Sequence, residues 1–194
     1  QLLGNNSAAT SQSVSGLTLN GEGVINLVSG TNQNVTLSVG AITRNVGGTL
    51  DLELNPNGSG TATFSTTTAN DGTGILGGWA TVGENDWATS AGDGTNAGAV
   101  TAYSGYVNDA WATGNNTTVT GNDAVSSGTT NSLRFADTLN PSGDTVTLSG
   151  ANTIVSGGIL DAQEAVGPMT ITGGSLTSGN GTDLIVDQFN SSAL

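Results

Sequence analysis

Short apolar runs with a period of two recur along the chain, separated by Gly, Asn, Asp and Ser. Val14-Ser15-Gly16-Leu17-Thr18-Leu19, Gly23-Val24-Ile25-Asn26-Leu27-Val28, Asn34-Val35-Thr36-Leu37-Ser38-Val39, Thr49-Leu50-Asp51-Leu52-Glu53-Leu54 and Thr61-Ala62-Thr63-Phe64 fill the first third. Asp144-Thr145-Val146-Thr147-Leu148, Thr153-Ile154-Val155, Pro168-Met169-Thr170-Ile171 and Asp183-Leu184-Ile185-Val186 fill the last. Alternation bounded by turn residues predicts strands of ordinary length, about four to six residues each. Nowhere do helix formers gather at a spacing of about 3.6, so no helix is predicted.

The runs resemble one another. Leu17-Thr18-Leu19-Asn20-Gly21, Val146-Thr147-Leu148-Ser149-Gly150 and Met169-Thr170-Ile171-Thr172-Gly173 share one pattern of apolar, Thr, apolar, small polar, Gly. The step from Val146 to Met169 is close to the step from Leu17 to Val35. Similar short strands at a spacing near 20 mark a solenoid, whose rungs pair their backbone groups with the rungs above and below. The fold class predicted is all-β, a right-handed parallel β-helix (solenoid) running as a single segment over 1–194, part of a longer solenoid, with seven to nine rungs. A β-sandwich is the alternative, since it too gives short strands at regular spacing; sandwiches carry more aromatics and charge. The expected core is Leu17, Leu19, Val24, Val35, Leu37, Leu50, Leu52, Val146, Leu148, Ile154, Ile171, Leu184 and Val186.

Composition then removes most chemistry. Gly, Thr, Asn and Ser make just over half of the 194 residues, yet apolar residues at 35% argue for order over a flexible coil. There is no Cys and no His, so disulfides, the usual zinc sites, thiol catalysis and a Ser-His-Asp triad are excluded. No Lys is present either, which excludes Schiff-base chemistry and a phosphate-binding P-loop. Arg44 and Arg134 stand against 15 carboxylates, a net charge of −13 that repels nucleic acid and anionic lipid. No apolar stretch approaches the roughly 18 residues of a membrane span. The carboxylates sit mostly in turns. Glu84 and Asp86 could be set out as an acid–base pair, but β-helix lyases and hydrolases also need clustered cations to stabilise developing charge. The chain is read as not an enzyme, with no cofactor required. Calcium is the one ion considered, at Asp183, because Gly179-Asn180-Gly181-Thr182-Asp183 matches most of one calcium β-roll nonapeptide.

The middle of the chain differs. All three Trp and both Tyr fall between Trp79 and Trp111, and Trp-Ala-Thr occurs at 79, 87 and 111. Residues 74–116 are predicted to be an aromatic, Gly-rich lateral insertion. Trp79, Trp87, Tyr103, Tyr106 and Trp111 are its candidate interaction surface, either toward another copy or toward glycans, against a plain packing role.

The segment Gly74-Ile75-Leu76-Gly77-Gly78-Trp79-Ala80-Thr81-Val82-Gly83-Glu84-Asn85-Asp86-Trp87-Ala88 resembles one common in large bacterial surface proteins. So do Val39-Gly40-Ala41-Ile42-Thr43-Arg44 with Gly47-Gly48-Thr49-Leu50-Asp51, Asn131-Ser132-Leu133-Arg134-Phe135, and Ile171 to Gly181. Those proteins carry the autotransporter-associated β-strand repeat. The resemblance implies a right-handed β-helix passenger at the bacterial cell surface, structural or adhesive, with no catalytic residues to carry over. No translocating barrel is visible in the sequence. Neither end shows a capping helix, so the expectation is a rung block of an extracellular fibre, filament or adhesin shaft that associates end to end with itself. A carbohydrate-binding or carbohydrate-active β-helix is the alternative.

Overall fold

A computed structural model describes residues 1–181 and 183–192. Among the described residues there is no helix, and every regular element is a strand. The chain falls into two compact units, Gln1–Ala102 and the remainder from Tyr103 on. Each is a parallel β-solenoid in its own right, and together they supply about seven turns.

In the first unit the strands are β1 (Leu2–Leu3), β2 (Thr10–Leu19), β3 (Glu22–Val28), β4 (Val35–Arg44), β5 (Thr49–Asn55), β6 (Ala62–Thr66), β7 (Ala80–Val82), β8 (Asp86–Ser90) and β9 (Gly98–Ala102). Odd strands stack in one parallel sheet, β1-β3-β5-β7, and even strands in another, β2-β4-β6. One rung therefore contributes one strand to each. Leu2 lies opposite Leu27, and Leu27 opposite Leu54. The second sheet keeps the same steps, with Thr10 opposite Val35 and Val35 opposite Ala62. Equal steps in both sheets keep like residues in columns: Ile25, Leu52 and Val82 form one, and Leu37 and Phe64 another. Gly40 marks how tightly the rungs approach, since a Cβ there would lie 1.9 Å from the Ser15 carbonyl oxygen.

The first unit does not end as an open ladder. β7 pairs antiparallel with β8, β8 with β9, and β9 with β6. The last strands of both parallel sheets are thus tied together through two antiparallel strands. Leu76, Ala80, Ala88 and Val100 pack with Leu50, Leu52 and Phe64, so this strap is lined on the inside like any rung. The lateral insertion expected over 74–116 does not take that form here: up to Ala102 the segment closes the core rather than hanging from it.

The second unit contains β10 (Val107–Asn108), β11 (Asn116–Val119), β12 (Asp123–Ser126), β13 (Thr129–Thr130), β14 (Ser132–Phe135), β15 (Thr145–Ile154), β16 (Gly158–Asp161), β17 (Thr170–Ser178) and β18 (Ile185–Gln188). One parallel sheet runs β10-β11-β14-β16-β18; the other stacks β12 and β13 on β15, and β15 on β17. Thr117, Leu133, Ile159 and Val186 form one column, whose first step is much shorter than the two that follow. Val119, Val125, Phe135, Val146, Leu148, Ile154 and Met169 fill the interior.

Most of the expected core is inside. Leu19, Val35, Leu50, Leu52, Val146, Leu148 and Ile154 are buried, and Leu17, Leu37 and Ile171 pack half-buried against the clusters. Three residues are not. Val24 is 58% exposed because Gly23, Ile25 and Leu27 take the inward phase of β3. Val186 is 50% exposed although it stands in the Leu133–Ile159 column, because β18 is the outermost described strand of its sheet. Leu184 is 42% exposed in the turn before that strand. The sequence spacings also shift: Leu17 faces Ile42, not Val35, and Val146 faces Ile171 rather than Met169.

Candidate functional site

The five aromatic residues divide between the units. In the first, Trp87 is fully buried in the closing strap, opposite Thr81 in the β7–β8 pair. It offers no face to a partner, a correction to its place in the expected surface. Trp79 packs half-buried against the same core, its indole close over Gly77, where a Cβ would lie 2.3 Å from Nε1. In the second unit, Trp111 packs on the core beside Gly128 and Val125. Tyr103 and Tyr106 meet edge to face with ring centroids 5.1 Å apart. The Tyr106 face is already occupied, because the Arg134 guanidinium lies 4.7 Å from its centroid. Arg134 also donates through Nη2 to Glu164 Oε1 at 2.5 Å. Arg134 is thus held on β14 under the Tyr106 ring and beside Glu164. Cation–π contact of this kind contributes about 0.5–2 kcal/mol. Trp79, Trp87 and Trp111 thus pack into or against the two cores, while Tyr103 and Tyr106 are half-exposed.

The carboxylates are more informative. Alternation on β5 turns Leu50 and Leu52 inward and Asp51 and Glu53 to the outer face. Thr81 lies opposite Asp51 on β7, and the β7–β8 turn brings Glu84 back over the same face. That turn needs positive φ at two successive residues, met by Gly83 at 61° and Glu84 at 60°. One oxygen from each of Asp51, Glu53 and Glu84 falls within 4.8 Å of the others. Burial, a side-chain hydrogen bond with Asp51 and the neighbouring Asp51 and Glu84 charges push the Glu53 carboxyl above its ordinary value. In the second unit Asp144 and Asp161 are both buried, and burial raises both carboxyls. Asp144 accepts from Asn140 Nδ2 at 3.0 Å, and Asp161 from Asn190 Nδ2 at 3.4 Å. Asp183 joins no group of three carboxylates among the described residues. Thr182 in its nonapeptide lies outside them.

Asp51, Glu53 and Glu84 come together in the first unit, whereas Asp144 and Asp161 belong to the second. Asp51 is covered by the hairpin turn, and Asp161 is buried opposite Phe135 in the β14–β16 pair. What the structure displays is a ladder of rungs with a buried, tied edge. The chain is similar to a protein described as "Adhesin BmaC autotransporter" from Brucella suis biovar 1 (strain 1330), with 34% identity over 193 residues. The match covers 91% of this chain and 5% of the adhesin. The parallel β-solenoid and this likeness are consistent with an autotransporter-associated β-helix passenger. No protein-family model matches the chain, and no solved structure does.

For a β-solenoid the features of interest are its edges and the fastenings between rungs. The sequence offers Asp51, Glu53 and Glu84 separately and does not join them. Asp51-x-Glu53 on one strand face is readable, but Glu84 lies a full rung further along and reaches the pair only through the hairpin. The Arg134–Tyr106–Glu164 contact is likewise hidden, because its members come from well-separated stretches of chain.

Proposed function

We propose that this chain is a rung block in the shaft of a bacterial cell-surface adhesin or fibre. Its role is mechanical: it supplies length and a protease-resistant surface, and performs no catalysis. The observation that carries this reading is the ladder itself, with a nearly constant step between rungs repeated in both parallel sheets of the first unit. Such stacking satisfies backbone groups rung by rung and leaves its outermost strands able to accept one more rung. In the first unit β1 and β2 are the strands paired on one side only among those described. Likeness to an autotransporter adhesin supports a location at the cell surface or outside it, and favours a non-enzymatic protein. The chain spans about 5% of the length of that curated relative, and adhesion itself belongs to this proposal.

End-to-end association with further β-solenoid, including copies of this chain, is part of this proposal, because a parallel ladder can be extended rung by rung. Electron microscopy of the purified chain tests it. Stacks one rung-width across, lengthening with concentration, are expected; compact single particles at every concentration would contradict association. Turnover assays and a glycan array on the same sample are expected to be blank. A specific glycan bound by the wild type and lost in Tyr103→Ala would favour carbohydrate recognition instead.

A further inference from the structure

We propose that Asp51, Glu53 and Glu84 bind a hard divalent cation of the Ca²⁺ class, which clamps the β7–β8 turn onto the outer face of β5. Asp51 is the anchor. Its Oδ1 accepts from Thr81 Oγ1 at 2.8 Å and from the Glu84 backbone N–H at 3.1 Å. Its Oδ2 is buried and has no hydrogen-bond partner, in a residue only 5% exposed. Asp51 contributes one oxygen to the cluster, and Oδ2 is the one that the turn's donors do not reach. A buried carboxylate oxygen with no donor is costly, and two further carboxylates alongside add like-charge repulsion. A shared cation removes both penalties at once. The geometry suits it: two oxygens each about 2.3–2.6 Å from one Ca²⁺ lie no more than about 5 Å apart, and these lie within 4.8 Å.

Ligand chemistry narrows the ion. The set is all oxygen, and the chain has neither His nor Cys, so softer metals have nothing to hold. Glu53 and Glu84 are half-buried, which leaves a solvent side for water ligands. Ca²⁺ tolerates an irregular shell of six to eight oxygens, whereas Mg²⁺ demands a near-ideal octahedron. Affinity on the order of 10⁻⁴–10⁻³ M is expected, the range of extracellular calcium modules. The site fastens the strap that ties the two parallel sheets of the first unit. It does not depend on the mechanical role proposed above.

Calorimetry and thermal melts of the whole chain in CaCl₂, MgCl₂ or EDTA test the site. One Ca²⁺ per chain is expected, with a melting temperature that rises with CaCl₂ and a smaller response to MgCl₂. Glu53→Gln is expected to weaken Ca²⁺ binding at least about tenfold while melting at or above the wild type in EDTA, since it removes repulsion. Asp51→Asn should abolish the calcium response; if that variant fails to fold, half-buried Glu53→Gln carries the test. No heat and no shift up to about 10 mM Ca²⁺, an order of magnitude above the expected range, or an unchanged response in Glu53→Gln, would overturn the proposal.

Discussion

Single residues carry this fold through two kinds of contact, columns of apolar side chains and acids held where burial disfavours their charge. Leu148 is 4% exposed between Val125 and Gly173 in the stack. Leu148→Asp places an unpaired carboxylate there and is expected to leave the second unit unfolded by circular dichroism; a wild-type melt would mean the register is wrong. Phe64 is fully buried above Leu37 in the first unit, and Phe64→Ala should cost about 3–5 kcal/mol in denaturant unfolding. The acids set the pH response. Glu53, Asp144 and Asp161 are raised from ordinary values of 4.5, 3.8 and 3.8, so the fold favours their neutral forms. Their stabilisation is complete below those ordinary values and is lost as pH climbs through the raised ones. Asp93 runs the other way: hydrogen bonds from Asn96 and Thr95 lower it to about 2, so its contribution is present above 3.8 and lost as pH falls toward 2. In chelator the melting temperature should therefore fall as pH rises above the ordinary carboxylate values, and Asp161→Asn should flatten that slope. A melting temperature that rises steadily to pH 8 would contradict the burial of these groups.

At the scale of elements, close stacking and the strap decide what can change. The Gly40 backbone passes so near Ser15 that Gly40→Ala must push two rungs apart, and it is expected to lower the melting temperature by several degrees or more. The same substitution at exposed Gly21, where an added Cβ meets nothing within 4 Å, should be nearly neutral. Comparing the two melts separates a stacking constraint from a general intolerance of Ala. Strand positions were largely legible: β3, β5 and β6 fall within a residue or two of the alternating runs. Register was not. Val24-Ile25 presents two adjacent apolar residues, and only the Leu27 column fixes which one points inward. The spacing of Leu17 and Val35 compared two strands whose like positions do not face each other, since Val35 pairs with Thr10. Antiparallel β8 and β9 gave no signal either, because Trp87 and Val100 are spaced like any other strand residues. The hydrogen bond from Asn45 Nδ2 to Asn20 Oδ1 repeats the rung step in polar side chains that alternation alone does not assign.

Over the whole molecule, the fold class could be read from composition and period. The candidate cation site could not, since it needs a hairpin to carry Glu84 to Asp51. The fold rests above all on parallel stacking of successive rungs. Paired cysteines measure it directly, because the chain has no native Cys to interfere. Ser13 lies opposite Ser38 on β2 and β4, at the roughly 4.8 Å separation of neighbouring strands, inside the range a disulfide spans. Ser13→Cys with Ser38→Cys should cross-link fully on mild oxidation without loss of the native melt. Ser13→Cys with Thr31→Cys, placed at the Leu17-to-Val35 spacing, should not. Cross-linking of positions 13 and 31 with none between 13 and 38 would contradict the stacked-rung architecture.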